Sequence, residues 1–292
     1  MDLTQIFCDV DDFYQAFEPR WLENLVTIGL PFKPRRRKLV SSEVMTILIM
    51  FHQSHYRDLK SYYLRHVCVF LSSEFPNLPS YQRFVELQRD AMVSFFFLMC
   101  KKLGKCSGIS LIDSTKLIVS HNRRAKQHKT FGPWATWGKD SIGWFFGFKL
   151  HLVINDIGEI LAFRITPANC DDRSMVASMM QGLFGRLYGD KGYISKNLCE
   201  ELTEQGITLL TRIRKNMKPQ IMSLFDRIML RKRVLIETVN DHLKNNCHLE
   251  HSRHRSPFNF VVHLLACLVS YSMSPKKPSL DVRKEQGFSI VA

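Results

Sequence analysis

Residues Ile109–Val119 read ISLIDSTKLIV. The run is rich in β-formers, has no helical period and follows a glycine, Gly108, all marks of a strand. One acid, Asp113, sits inside it. The chain before this stretch reads as helix, and after it strands and helices alternate, so its assignment decides the fold. Residues 138–143 are loop-like. Phe146–Ile154 (FGFKLHLVI) then alternates, with Phe148, Leu150, Leu152 and Ile154 on one side and Lys149, His151 and Val153 on the other. Asn155–Gly158 (NDIG) is a hairpin turn, and Glu159–Ile165 is the returning strand. Asp171–Gln181 reads as helix, Arg186–Tyr188 as a short strand, Lys196–Glu204 as helix and Ile207–Ile213 as a last strand. A helical segment near Met222–Leu230 continues into Arg231–Lys244 (RKRVLIETVNDHLK).

Three strands followed by alternating helix and strand predict an α/β domain with a mixed five-stranded sheet and helices on both faces. That is the order of a ribonuclease-H-like core, in which strands one and four are neighbours. Upstream, apolar residues recur at helical spacing from Leu3 to Phe17, with Asp2 as N-cap and Pro19 as the stop. Ser41 and Ser42 can cap a second helix, Asp58–Leu71 reads as a third, and Ser80 can cap a fourth from Tyr81 to about Leu103. The organisation expected is a helical DNA-binding domain over 1–105, a catalytic domain over 106–272 and a poorly ordered basic tail over 273–292. Asp58–Leu71 with Ser80–Gln88 is the best candidate for a helix–turn–helix; a plain helical bundle gives the same pattern. The aromatic run Phe95–Phe97 is read as core.

The 292 residues carry a formal net charge of +14, clustered at Lys33–Lys38, His121–Lys129, Arg212–Lys218, Arg231–Arg233 and Arg253–Arg255. Basic patches along a folded chain point to a long polyanion, with nucleic acid the default. The eight cysteines form no C-x-x-C pair, as in a reducing cytoplasm. His242, Cys247, His248, His251 and His254 fit no paired zinc motif. Met1–Asp12 carries acids where a signal peptide would be basic and then apolar. Phe258–Met273 is shorter than the ~18–20 residues that cross a bilayer, and it contains Asn259 and His263, so it is read as a buried helix.

Metal-assisted phosphodiester chemistry needs carboxylates converging from different elements, because hard Mg²⁺ or Mn²⁺ takes oxygen ligands. Asp113 is the first candidate, since a charge inside an apolar strand is costly unless it coordinates or pairs. Asp190 is the second, at the end of a short strand between Gly189 and Gly192, which allow close approach of a phosphate backbone. Glu237 is the third. On its helix, Arg233, Glu237, Asn240, Asp241 and Lys244 share one arc, and Leu235, Ile236, Val239 and Leu243 cover the other. Taken singly, each acid has a plainer reading: a strand-end cap, a turn aspartate, a solvated face. Lys149, His151 and Asp172 can line the site, or be a solvated strand face and a helix N-cap; the plainer reading is favoured.

These residues resemble the DDE transposases of bacterial insertion sequences. The family's signature around the third acid is Tyr, two residues, Arg, three residues, Glu, six residues, Lys. Arg233, Glu237 and Lys244 stand at that spacing, with Leu230 at the Tyr position. Asp190-Lys-Gly192-Tyr193 is similar to the D-x-G-[YF] block, and Asp113-Ser-Thr to the D-[ST]-[ST] block. Residues 41–63 and 251–277 are also similar to one branch of such transposases. The resemblance implies a ribonuclease-H-like core in which Asp113, Asp190 and Glu237 are catalytic and bind two divalent ions, Mg²⁺ or Mn²⁺. It implies that Arg233 and Lys244 bind DNA phosphates at the element end. The partners expected are double-stranded DNA and further copies of the chain, as a homodimer or larger assembly, with no membrane. The stretch from Ile213 to Glu237 leaves no room for an inserted domain. A nuclease without strand transfer and a non-catalytic DNA-binding regulator are the alternatives.

Overall fold

A computed structural model describes residues 2–30, 38–213, 216–217, 222–250 and 254–280. The tail from 281 onward and most of the basic stretch at 33–38 lie outside the described residues. Contacts divide the chain into two units, Met1–Lys102 with Leu243–Pro275, and Leu103–His242 with the residues from Lys276 onward. Residues 243–272, read from sequence as part of the 106–272 region, and residues 273–275, read as tail, thus pack within the helical unit.

The helical unit contains α1 (Leu3–Thr27), α2 (Ser41–Gln53), α3 (Leu59–Tyr62), α4 (Cys68–Phe70), α5 (Tyr81–Gln88) and α6 (Met92–Lys101). A π-turn over Tyr63–Val67 joins α3 to α4, and a 3₁₀ turn over Arg89–Ala91 interrupts the single helix expected after Ser80. Pro19 does not stop α1. A ridge of Phe13, Phe17 and Trp21 stacks one turn apart, with ring centroids 5.3 and 6.1 Å apart, and Phe97 of α6 packs on it. That continuous packing offsets the one backbone bond a mid-helix proline removes. Nor do Ser41 and Ser42 cap α2: Val40 is its N-cap residue, and the Glu43 carboxylate accepts from the Val40 amide at 2.7 Å.

The second unit is built on one sheet. Its strands are β1 (Ile109–Ser120), β2 (Thr136–Lys139), β3 (Trp144–Asn155), β4 (Ile160–Pro167), β5 (Gly185–Gly189) and β6 (Ile207–Thr211). β3 pairs antiparallel with β1 along one edge and with β4 along the other; β1, β5 and β6 run parallel. This is the mixed order expected of a ribonuclease-H-like core, with β1 and β5 adjacent. The addition is β2, four residues from a stretch read partly as loop, which pairs with the start of β3 beyond the end of β4.

Between the strands lie α7 (Val176–Met179) and α8 (Lys196–Glu204), and α9 (Leu224–Lys232) and α10 (Val234–Asp241) follow. Alternation along the strands assigns the layers. Ile112, Val153 and Leu187 form one apolar core with residues of α7 and α8. Tyr188, on the opposite side of β5 from Leu187, donates its hydroxyl to Asp226 of α9 at 2.8 Å. Helices therefore cover both faces.

Candidate active site

β1 is buried from Ser110 to Ile112 and polar and part-exposed from Asp113 to Lys116, so its first buried stretch ends where the first carboxylate begins. In the parallel pairing with β5 the last register pair is Leu111 with Tyr188. Asp113 and Asp190 each lie two residues beyond that pair, at the same end of neighbouring parallel strands. Parallel order thus brings together two acids far apart in sequence. Past β5, Asp190 caps a 3₁₀ turn, its Oδ1 accepting from the Gly192 amide at 2.6 Å. A side chain at Gly192 would crowd that oxygen, and one at Gly189 would meet the ring of Tyr193 and Ile112. Both glycines are therefore fixed by packing around Asp190.

The third acid comes from α10. Arg233 is the turn between α9 and α10 and bends toward the sheet end. Its Nη2 donates to Glu237 Oε1 at 2.7 Å, and its Nη1 lies 3.6 Å from Asp113 Oδ1. One guanidinium thus bridges two of the three carboxylates. Asn240, one turn on, donates from Nδ2 to Asp113 Oδ2 at 3.1 Å.

Burial sets the electrostatics of Asp113. It pushes the carboxyl up from 3.8 to about 6; Arg233 and the Ser114 amide oppose that rise, and the charges of Asp190 and Glu237 add to it. Keeping this group ionised at neutral pH therefore costs the fold on the order of 3 kcal/mol. Tyr193, 2% exposed, packs beside the cluster, and burial together with the acids drives its phenol well above the ordinary range.

Behind β1 lies a second polar layer. Ser114 Oγ donates to Asp172 Oδ2 at 2.7 Å, and Lys149 Nζ donates to Asp172 Oδ1 at 2.7 Å and to the Cys170 carbonyl. His151 is buried against Thr166 Oγ1 at 2.8 Å, and burial lowers its pKa. These residues are neither a solvated strand face nor a helix cap. The cap at this turn is Asp171, which accepts from the Arg173 amide.

The structure brings together Asp113, Asp190, Glu237 and Arg233. Lys244 belongs by its contacts to the helical unit, in a π-turn over His242–Asn246, and pairs with Glu250 at 2.9 Å. Leu230, at the position of the family's Tyr, is buried, and its carbonyl accepts from Arg212 at 3.4 Å. The residue that sequence reasoning did not assign is Asn240. Its only signal was its place on the same arc as Glu237. Among the described residues, no three His, Cys, Asp or Glu side chains stand ready to hold a metal ion. Arg233 occupies the place of positive charge between two of the acids.

A ribonuclease-H-like sheet with carboxylates gathered at the ends of β1 and β5 and on α10 defines the class of fold. Residues 103–257, more than half of the chain, match the family described as Transposase DDE domain, and the chain belongs to that family. No curated protein matches it significantly. Among the described residues, no helix is long and apolar enough to cross a membrane.

Proposed function

We propose that this chain is the transposase of a bacterial insertion sequence, acting in the cytoplasm on the terminal inverted repeats of its own element. It cuts the strand at the element's end and joins the freed 3′-OH to target DNA. The observation that carries this reading is the gathering of Asp113, Asp190 and Glu237 around one arginine, where partial burial raises the Asp113 carboxyl. A fold accepts such a cost where the charge has work to do.

Asp113, Asp190 and Glu237 offer only oxygen donors, from a strand, a turn and a helix, and that set suits Mg²⁺ or Mn²⁺. They are the catalytic residues of this reading and would hold two ions. When bound, such a pair polarises the phosphoryl group, favours deprotonation of the attacking water or 3′-OH and stabilises the leaving oxygen. Asn240 orients Asp113, and Arg233 holds the acids together at 2.7 and 3.6 Å until other positive charge takes its place. Arg233 then turns to a DNA phosphate, and Lys244 contacts another. Residues 1–105 supply end recognition. An element has two ends, so a homodimer or larger assembly brings a site to each.

A nuclease without strand transfer would use the same carboxylates. A strand-transfer assay with a pre-cut, 3′-OH terminal duplex separates the two. Joined product supports the transposase, and hydrolysis alone overturns it. A non-catalytic regulator derived from such an element would do neither.

A further inference from the structure

A second site lies wholly within the helical unit. A cleft of about 830 Å³ opens between the two helices singled out as a helix–turn–helix candidate and the start of α11 (Pro257–Met273). That size falls in the range of small-molecule pockets, roughly 300–1,000 Å³, and does not suit a groove for duplex DNA. Arg57, Lys60 and Arg255 stand at its exposed rim, and none of them forms an ion pair among the described residues. The one acid in the lining, Asp58, is committed to the Ser61 amide at 2.8 Å. The N-terminal turns of α5 and α11 both reach the cleft, through Tyr81 and through Ser256 with Asn259. Two helix N-termini and three cations make its mouth an anion site.

The floor carries an independent signal. Gln88 and His263 line the cleft and are 1% and 4% exposed. They bond to each other, His263 Nε2 to Gln88 Oε1, at 3.2 Å. Gln88 Nε2 and His263 Nδ1 are left without a hydrogen-bond partner among the described residues. The pair has a fixed logic. If the ring donates to the amide oxygen, the unmet groups are an amide N–H donor and a ring-nitrogen acceptor. If the amide is turned over, they are an amide oxygen acceptor and a ring N–H donor. Either way one buried donor and one buried acceptor in the floor are left for a ligand or a water to meet. The edge of a nucleobase carries both kinds of group.

We infer that this cleft is a binding site for a single nucleotide, its base edge on Gln88 and His263 and its phosphate held by Arg57, Lys60 and Arg255. The half-buried Tyr81 ring lies where a base can pack on it. The nucleotide is either free or an unpaired residue of a DNA strand, and the chemistry of the cleft is the same for both. The inference deepens the reading of 1–105 as the DNA-binding region.

The test uses the full chain at fixed salt. Affinity is measured for a fully paired duplex, for the same duplex with one unpaired nucleotide, and in competition with 2′-deoxyadenosine 5′-monophosphate or inorganic phosphate. The bulged duplex is expected to bind roughly tenfold tighter than the paired one, or the free mononucleotide to compete far better than phosphate. The first result assigns an unpaired strand residue and the second a free nucleotide. The double variant Arg57→Ala/Arg255→Ala, both exposed and safe for folding, should abolish the preference, as should Gln88→Leu if it folds. Equal binding of the two duplexes together with a mononucleotide no better than phosphate overturns the inference. Retained duplex binding in that case leaves the DNA-binding reading standing. A bulge preference unchanged in the rim variant also overturns it.

Discussion

Asn240 Nδ2 donates to Asp113 Oδ2 at 3.1 Å, a bond between residues 127 positions apart. It ties the helix bearing the third acid to the strand bearing the first, and it stabilises the ionised form of a carboxylate that burial disfavours. Asn240→Ala should lower stability at pH 8 by about 1–3 kcal/mol, and by less at pH 5, where Asp113 already holds a proton for much of the time. The acid limb of the cleavage profile should move up by roughly one pH unit. An unchanged profile would mean that Asn240 only packs.

Asp113 sets a trade between activity and stability. Its folded pKa is raised from 3.8 to about 6, so between those values the folded state binds more protons than the unfolded one. Stability contributed by this group therefore falls as pH rises through that window and stays low above it. Asp113→Asn should be more stable than the parent at pH 8 by on the order of 2–3 kcal/mol in metal-free buffer, with the difference gone near pH 4. The same variant should be inactive. Thermal unfolding across pH measures the first, and cleavage of terminal DNA the second.

Glu237 is half-exposed, and its pairing with Arg233 is worth little to the fold. Glu237→Gln should unfold within about 0.5 kcal/mol of the parent, bind terminal DNA and fail to cut it. Added Mg²⁺ or Mn²⁺ should raise the melting temperature of the parent and leave that of the variant nearly unmoved. An equal shift in both proteins would remove Glu237 from the ligand set.

Lys244 is paired with Glu250 at 2.9 Å. If it contacts a phosphate, it must exchange that carboxylate for DNA. Lys244→Ala should weaken terminal-DNA binding uniformly across sequences and reduce the salt slope by about 1. Glu250→Gln should strengthen binding, because it frees the lysine. Two unchanged slopes would confine Lys244 to a structural pair.

The sheet was legible because alternation in Phe146–Ile154 and the break at Gly108 are backbone signals that tertiary packing left intact. Asp113 was legible because an acid in an apolar strand has few innocent explanations. Asn240 was not: an amide on an amphipathic helix looks the same whether it faces water or a carboxylate. Pro19 misled because its local rule was overridden by the ridge of Phe13, Phe17 and Trp21, on which Phe97 of α6 packs. Ser114, Lys149 and Asp172 form a part-buried layer that the pairing of β1 with β3 and the turn after β4 bring together.

The helical unit should respond to acid in the opposite sense to Asp113. Burial lowers His52 to about 4 and His254 to about 3, and holds His263 well below 6.5. Below pH 6.5 the unfolded chain takes up protons that the folded unit refuses, so stability falls as pH drops. The loss should reach about 1.4 kcal/mol per histidine for each pH unit, down to the folded pKa. Hydrogen exchange at pH 5 should open amides of residues 42–52 and 258–273 before those of residues 109–118. The reverse order would contradict the burial of these rings.

The span of 127 residues between Asp113 and Asn240 also acts in time. A ribosome adds roughly 5–20 residues per second, so about 6–25 s separate synthesis of the first carboxylate from that of the amide that steadies it. Until α10 emerges, the nascent chain carries two acids and no completed site. A product ending before Val234 would lack Glu237 and also α11 (Pro257–Met273), which packs within the helical unit. Translation order thus leaves both units unfinished until late: the second waits for its third acid on α10, and the first for residues 243–275.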